Sequence, residues 1–86
     1  MSAQPKTGEG LRETILGILA EIAPEADLSR LKPEENLRDA LDIDSLDFLH
    51  FASRLEQRLS IRIPETDYRK IATLAGCLGY LGSKTS

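Results

Sequence analysis

Two stripes of apolar residues at helical spacing, separated by a long polar connection, constrain the fold of this chain most. The first stripe lies in GLRETILGILAEIAP (residues 10–24), and Pro24 ends it. Its members are Leu11, Ile15, Ile18, Leu19 and Ile22. The second begins around Ser45 and runs to about Ser60. A repeat of three to four residues predicts amphipathic helices that pack against each other. The second stripe consists of Phe48, Ala52, Leu55 and Leu59, flanked by Leu49 and Phe51. Leu46 falls well away from the centre of this stripe and is expected to be exposed.

The connection between the two stripes, residues 23–44, is too long to be an ordinary loop of a small domain. Two prolines and many polar residues interrupt it, yet apolar side chains recur along it. We expect these side chains to hold the loop over the core, so that the segment before Ser45 is anchored. They are Leu28, Leu31, Leu37, Leu41 and Ile43.

The remainder of the chain predicts two further helices. The short alternating run IRIP cannot form a sheet alone, whereas ETDYRKIA suits a short helix. Thr73 is a suitable cap for a last helix, LAGCLGYLG, which Gly82 is expected to end. We therefore predict an all-α fold, a small four-helix bundle of three main helices and one short helix with a long loop between helices 1 and 2. Residues 10–82 form its single domain, and residues 1–9 and 83–86 are predicted to be flexible tails.

Charge and cysteine content exclude several classes of function. The net charge of -3 over 86 residues disfavours a nucleic-acid binder, which normally carries a basic excess. The single cysteine, Cys77, cannot form an internal disulfide and is no basis for a zinc site. No segment is apolar enough to span a membrane or to resemble a signal peptide. We expect a cytoplasmic monomer.

Ser45 stands at the start of the second helix, among acidic residues, in LRDALDIDSLDFLHF. Asp44 already offers a helix cap, so Ser45 is not needed for that role. The only histidine, His50, is rotated by about 140° from Ser45 on the same helix, which rules out a Ser–His catalytic pair. Ser45 is therefore not expected to be the nucleophile of an active site in this chain. If Ser45 reacts, another protein must activate it.

The chain resembles the acyl carrier proteins from about residue 10 to residue 82. DSL at the start of the second helix, preceded by LRDALDI and followed by IRIPETD and IATLAGCLGYL, carries the resemblance. It implies that Ser45, flanked by Asp44 and Leu46, receives 4'-phosphopantetheine from coenzyme A through a phosphopantetheinyl transferase. The thiol of that arm would carry acyl groups between the acyl-transferring or acyl-modifying enzymes of fatty acid, lipid or polyketide synthesis. The resemblance also implies that the carrier itself is not an enzyme.

Two features depart from the pattern of that family. Many members have glycine where this chain has Asp42. Members are also strongly acidic along the second helix, whereas residues 44–59 here contain three acids and two bases. We expect a specialised carrier with dedicated partners. The residues predicted to contact those partners are Leu46, Asp47, His50, Arg54, Gln57 and Arg58.

Two alternatives remain open at this point. One is a peptidyl or aminoacyl carrier of the same fold, although such carriers usually have glycine in the place of Asp44. The other is a helical adaptor that keeps the fold without the prosthetic group, which an intact Ser45 disfavours.

Overall fold

The computed structural model describes residues 8–85, which form an all-α bundle as predicted. The main helices are α1 (Gly8–Ile22), α3 (Ser45–Leu59) and α4 (Leu74–Thr85), with a short α2 (Leu37–Leu41) before α3. Two 3-10 helices, Leu28–Arg30 and Glu65–Ile71, complete the elements. Within residues 8–85 the only β-type pairing is one isolated bridge between Asn36 and Thr73. Of the predicted N-terminal tail, residues 1–7 lie outside the described residues, and residues 8 and 9 belong to α1.

The core is a single cluster of buried apolar side chains to which every main helix contributes. Helix α1 buries Leu11, Ile15, Ile18 and Leu19 at the predicted spacing and ends at Ile22, just before Pro24. Helix α3 buries Phe48, Phe51, Ala52 and Leu55, while the predicted Leu59 is only partly buried. Helix α4 contributes Leu74, Cys77 and Leu81. Burial of this apolar surface is the main favourable contribution to folding.

The long connection is anchored, as its leucines predicted. Leu31, Leu37 and Leu41 are buried. The backbone N–H of Leu37 donates to the carbonyl of Ala72 at 2.8 Å, and that of Ala75 donates to the carbonyl of Pro33 at 2.9 Å. These bonds tie the connection to the residues around the start of α4.

Helix α2 and the first 3-10 helix were not predicted. The Asn36 side chain begins α2 by accepting hydrogen bonds from the backbone N–H groups of Arg38 and Asp39, at 3.0 and 3.2 Å. With five residues, α2 is too short to show a hydrophobic period, so the sequence reveals only its polar cap.

Helix α4 begins as predicted but ends later. The Thr73 hydroxyl accepts a hydrogen bond from the N–H of Gly76 at 2.9 Å. The predicted end at Gly82 is wrong, because the helix continues to Thr85. Glycine ends a helix when it adopts a left-handed conformation, and no described glycine has a positive φ.

Candidate functional site

The turn that presents Ser45 is built by the last residues of α2 and the residues that follow it. Asp42 adopts a left-handed conformation, with φ 56° and ψ 47°, and its N–H donates to the carbonyl of Arg38. The N–H of Ile43 donates to the same carbonyl at 3.1 Å. A left-handed residue other than glycine costs roughly 1–2 kcal/mol, somewhat less for aspartate. The turn therefore explains physically why glycine suits the position of Asp42.

Asp44 is the N-cap of α3, as predicted. Its Oδ1 atom accepts a hydrogen bond from the backbone N–H of Asp47 at 2.9 Å. Ser45 follows as the first helical residue and is exposed to solvent. Because Asp44 caps the helix, the Ser45 side chain is not required to do so. The Ser45 hydroxyl lies at the positive end of the helix dipole, a position that favours a phosphate group.

An open, mainly apolar groove of about 360 Å³ begins beside Ser45. Phe48 and Leu49 line its α3 side, and Tyr68 and Arg69 line the side formed by the second 3-10 helix. Leu49 is 41% exposed, although its neighbours on the stripe are buried. Sequence reasoning placed Leu49 at the edge of the core and did not find this groove, because its two walls are about twenty residues apart in the chain.

Leu46 is 58% exposed, which agrees with its predicted position away from the buried stripe. Together with Leu49 it places two large apolar side chains at the surface within four residues of Ser45. Single exposed leucines are common, but two beside an exposed hydroxyl at an anchored helix start form a small apolar rim. This rim is suited to contact a protein that approaches Ser45.

The structure divides the six residues predicted to contact partners into separate groups. His50, Arg54, Gln57 and Arg58 are exposed and line one shallow surface depression of about 410 Å³ together with Ser53. Asp47 is half-buried and lines a different depression, formed with the end of α1 and the turn after α2. Leu46 belongs to neither depression.

The two arginines of α3 bind a residue that the sequence analysis did not single out. Arg54 Nη1 lies 2.6 Å from Glu21 Oε1, and Arg58 Nη2 lies 3.1 Å from Glu21 Oε2. Hydrogen bonds from Arg58 and then Arg54 lower the pKa of Glu21 below its usual value. The sequence separations of 33 and 37 residues left no local signal for this contact.

Residues 8–85 contain neither a metal-binding cluster nor a membrane-spanning helix. No group of three or more His, Cys, Asp or Glu side chains in this range could hold a metal ion. None of the helices there is long and apolar enough to cross a bilayer. Cys77 is buried in the core, and burial raises the pKa of its thiol to about 12, so it is a poor nucleophile.

Comparison with known proteins gives a consistent result. The family model described as "Phosphopantetheine attachment site" matches residues 13–81. An acyl carrier protein of Acidothermus cellulolyticus is 31% identical over 77 residues, covering 86% of this chain and 92% of the relative. A meromycolate extension acyl carrier protein of Mycolicibacterium smegmatis is 33% identical over 73 residues, covering 81% of this chain and 74% of the relative.

The fold has a close structural relative. A solution structure described as an acyl carrier protein from Anaplasma phagocytophilum superposes with a TM-score of 0.83 at 25% identity, covering 100% of this chain and 98% of the other. The bundle and the matched attachment-site model together define a carrier of a covalent prosthetic group. The chain belongs to the acyl carrier protein family. It is thus a carrier and not an enzyme, and its prosthetic group is 4'-phosphopantetheine.

Proposed function

We propose that the Ser45 hydroxyl is the atom that receives 4'-phosphopantetheine, and that the thiol of the arm carries acyl groups as thioesters. In the loading step the Ser45 oxygen bonds to the phosphate that carries the pantetheine. The phosphoanhydride bond of coenzyme A breaks, the nucleotide half leaves, and the hydroxyl proton passes to the transferase. The single observation that carries the proposal is the exposed position of Ser45 as first residue of α3, inside the matched segment.

Ser45 suits a phosphodiester better than the other exposed serines of this region do. The N–H groups of the first turn of a helix have no partner within the helix and attract an anion, and Ser45 lies beside them. Ser53 is in the middle of α3, where the backbone N–H groups are already bonded within the helix. Ser60 is the left-handed C-cap at the negative end of the helix dipole.

The surroundings of Ser45 suit an arm that is covalently attached but makes only weak contacts with the protein. Asp42, Asp44 and Asp47 repel the phosphate and favour an arm directed outward. The apolar groove beside Ser45 offers a surface on which an acyl chain can rest between transfers. Each methylene buried there contributes roughly 0.8 kcal/mol. This combination suits a shuttle that must release its cargo to several enzymes.

Incubation with coenzyme A and a promiscuous phosphopantetheinyl transferase tests this proposal. Intact mass measurement should show one phosphopantetheine added per chain. The Ser45→Ala variant should show no mass gain, and the matched Ser53→Ala variant should load as the wild type does. Loading of Ser45→Ala, or failure of Ser53→Ala to load, would show that Ser45 is not the attachment point.

We also propose that this carrier is specialised, with dedicated partners in lipid or polyketide synthesis. The basic residues Arg54 and Arg58 on α3 support this, because basic enzyme surfaces would meet like charge there. The named role of the Mycolicibacterium relative in meromycolate extension favours acyl over peptidyl cargo. Binding to standard fatty acid synthase enzymes should be weak. Tight, salt-sensitive binding to them would argue against specialisation.

We further propose that residues 10–82 act as one carrier domain in a cytoplasmic monomer. The single core cluster of the described residues supports one domain. Sedimentation equilibrium should give the mass of one chain, and a concentration-dependent rise in mass would contradict the monomer.

A further inference from the structure

One face of α3 presents bases without acids. His50, Ser53, Arg54, Gln57 and Arg58, here called the basic face, repeat at intervals of three and four residues and so lie along one side of the helix. They line a shallow depression of about 410 Å³. Its lining contains no carboxylate, although the chain as a whole is acidic. A depression of this composition is suited to receive an anionic group.

One carboxylate already binds this face, and it is shared. Both oxygens of Glu21 are in use, one by Arg54 and one by Arg58. Each guanidinium has five N–H donors, so a single carboxylate satisfies only a small part of their capacity. Glu21 and the two arginines carry one net positive charge. The basic face therefore retains attraction for a second carboxylate, or for a replacement of Glu21.

Displacing the Glu21 carboxylate from the two arginines would lower the stability of the fold only slightly. The side chains of Arg54 and Arg58 are each 48% exposed and that of Glu21 is 44% exposed, and exposed ion pairs add little to stability. Ile15 and Ile18 of α1 lie fully buried in the same core cluster as Phe51 and Leu55 of α3. Packing holds the two helices together without the ion pairs, so the arginines can change partner.

The other end of α3 has the opposite charge. Asp42, Asp44 and Asp47 lie within three residues of Ser45 in the sequence, whereas Arg54 and Arg58 lie about 14 and 20 Å from Ser45 along the helix axis. A partner that binds the whole helix therefore needs two patches of opposite sign. Bases must border its active-site entrance, and carboxylates must lie roughly 14–20 Å away.

We propose that the basic face docks onto an acidic patch of a partner acyl-handling enzyme, whose carboxylate takes the place of Glu21 between Arg54 and Arg58. The inference deepens the proposed function and rests on it for the nature of the partner. Exchange of one carboxylate for another preserves the charge balance of the arginines. It also fixes the orientation of α3, so that Ser45 faces the partner's active site.

The test measures docking separately from loading. The Ser45→Ala protein cannot take an arm at that position but keeps the basic face. It is labelled at its N-terminus and titrated by fluorescence anisotropy with each acyl-handling enzyme encoded beside its gene. Failure of loading would show in the mass experiment above, whereas failure of docking shows here.

In this background, Arg54→Gln with Arg58→Gln should weaken binding to at least one enzyme by about tenfold. Glu21→Gln should instead tighten the same binding a few-fold, because it removes the internal competitor. Arg12→Glu, an exposed charge reversal at the other end of α1, should leave binding unchanged. Circular dichroism confirms that each variant is folded.

The opposite signs of the Arg and Glu21 effects identify the exchange. If the ion pairs only supported the structure, the arginine substitutions and Glu21→Gln would both weaken binding. Absence of binding to every enzyme, equal binding by the arginine variant, or weaker binding by Glu21→Gln would each overturn the proposal.

Discussion

Replacement of Asp44 by alanine tests whether this side chain positions the helix start that carries Ser45. The substitution removes the acceptor of the 2.9 Å hydrogen bond from the N–H of Asp47. Loss of an N-cap costs about 1 kcal/mol, within a range of roughly 0.5–2. For a domain of this size, each kcal/mol lowers the unfolding temperature by about 4–8 °C. We expect Asp44→Ala to unfold several degrees below the wild type.

Asp44→Asn is the matched control, because asparagine caps a helix about as well as aspartate but carries no charge. Its unfolding temperature should stay close to that of the wild type, apart from the lost interaction with the helix dipole, a few tenths of a kcal/mol. Thermal unfolding followed by circular dichroism gives both values. Amide hydrogen exchange at Asp47 should accelerate in Asp44→Ala only. Equal unfolding temperatures for the wild type and Asp44→Ala would refute the capping role.

Three further predictions concern the remainder of the bundle. Gly17→Ala should stabilise α1 by up to about 1 kcal/mol, because a methyl group there meets open space. Its counterpart Gly76→Ala should destabilise the protein, because the added Cβ would press on the backbone carbonyl of Lys70. Denaturant titrations measure both effects. A thiol reagent should detect no fast-reacting thiol in the apo protein and one in the holo protein, since Cys77 is buried and the arm is not. Hydrogen bonding from Tyr80 lowers the pKa of Asp67 below its usual 3.8. The stability that Asp67 contributes should therefore be present above that pH and be lost as the pH falls through the lowered pKa, so acid titration of Asp67→Asn should show a flatter decline.

The sequence was sufficient to predict the helices that are long enough to show a hydrophobic period. Helices α1 and α3 each extend over four turns, and their buried residues are mostly the predicted ones. The cap at Asp44, the exposure of Leu46 and the anchoring of the long connection also followed from local patterns. Helix α2 did not, because five residues show no period and only Asn36 signals its start.

The features missed were those that depend on distant parts of the chain. Glu21 lies on an exposed part of α1 and shows its role only when α3 packs beside it. The groove beside Ser45 needs the second 3-10 helix as its far wall. The error at Gly82 has a different cause, since a glycine near the end of a helix can either terminate it or continue it.

The most direct test of the account is to locate the prosthetic group on the loaded protein. Proteolysis of the holo protein followed by tandem mass spectrometry assigns the added phosphopantetheine to one residue. We predict that all of it lies on Ser45, the exposed hydroxyl at the start of α3. An adduct on Ser53, on Ser60 or on any other residue would contradict the account.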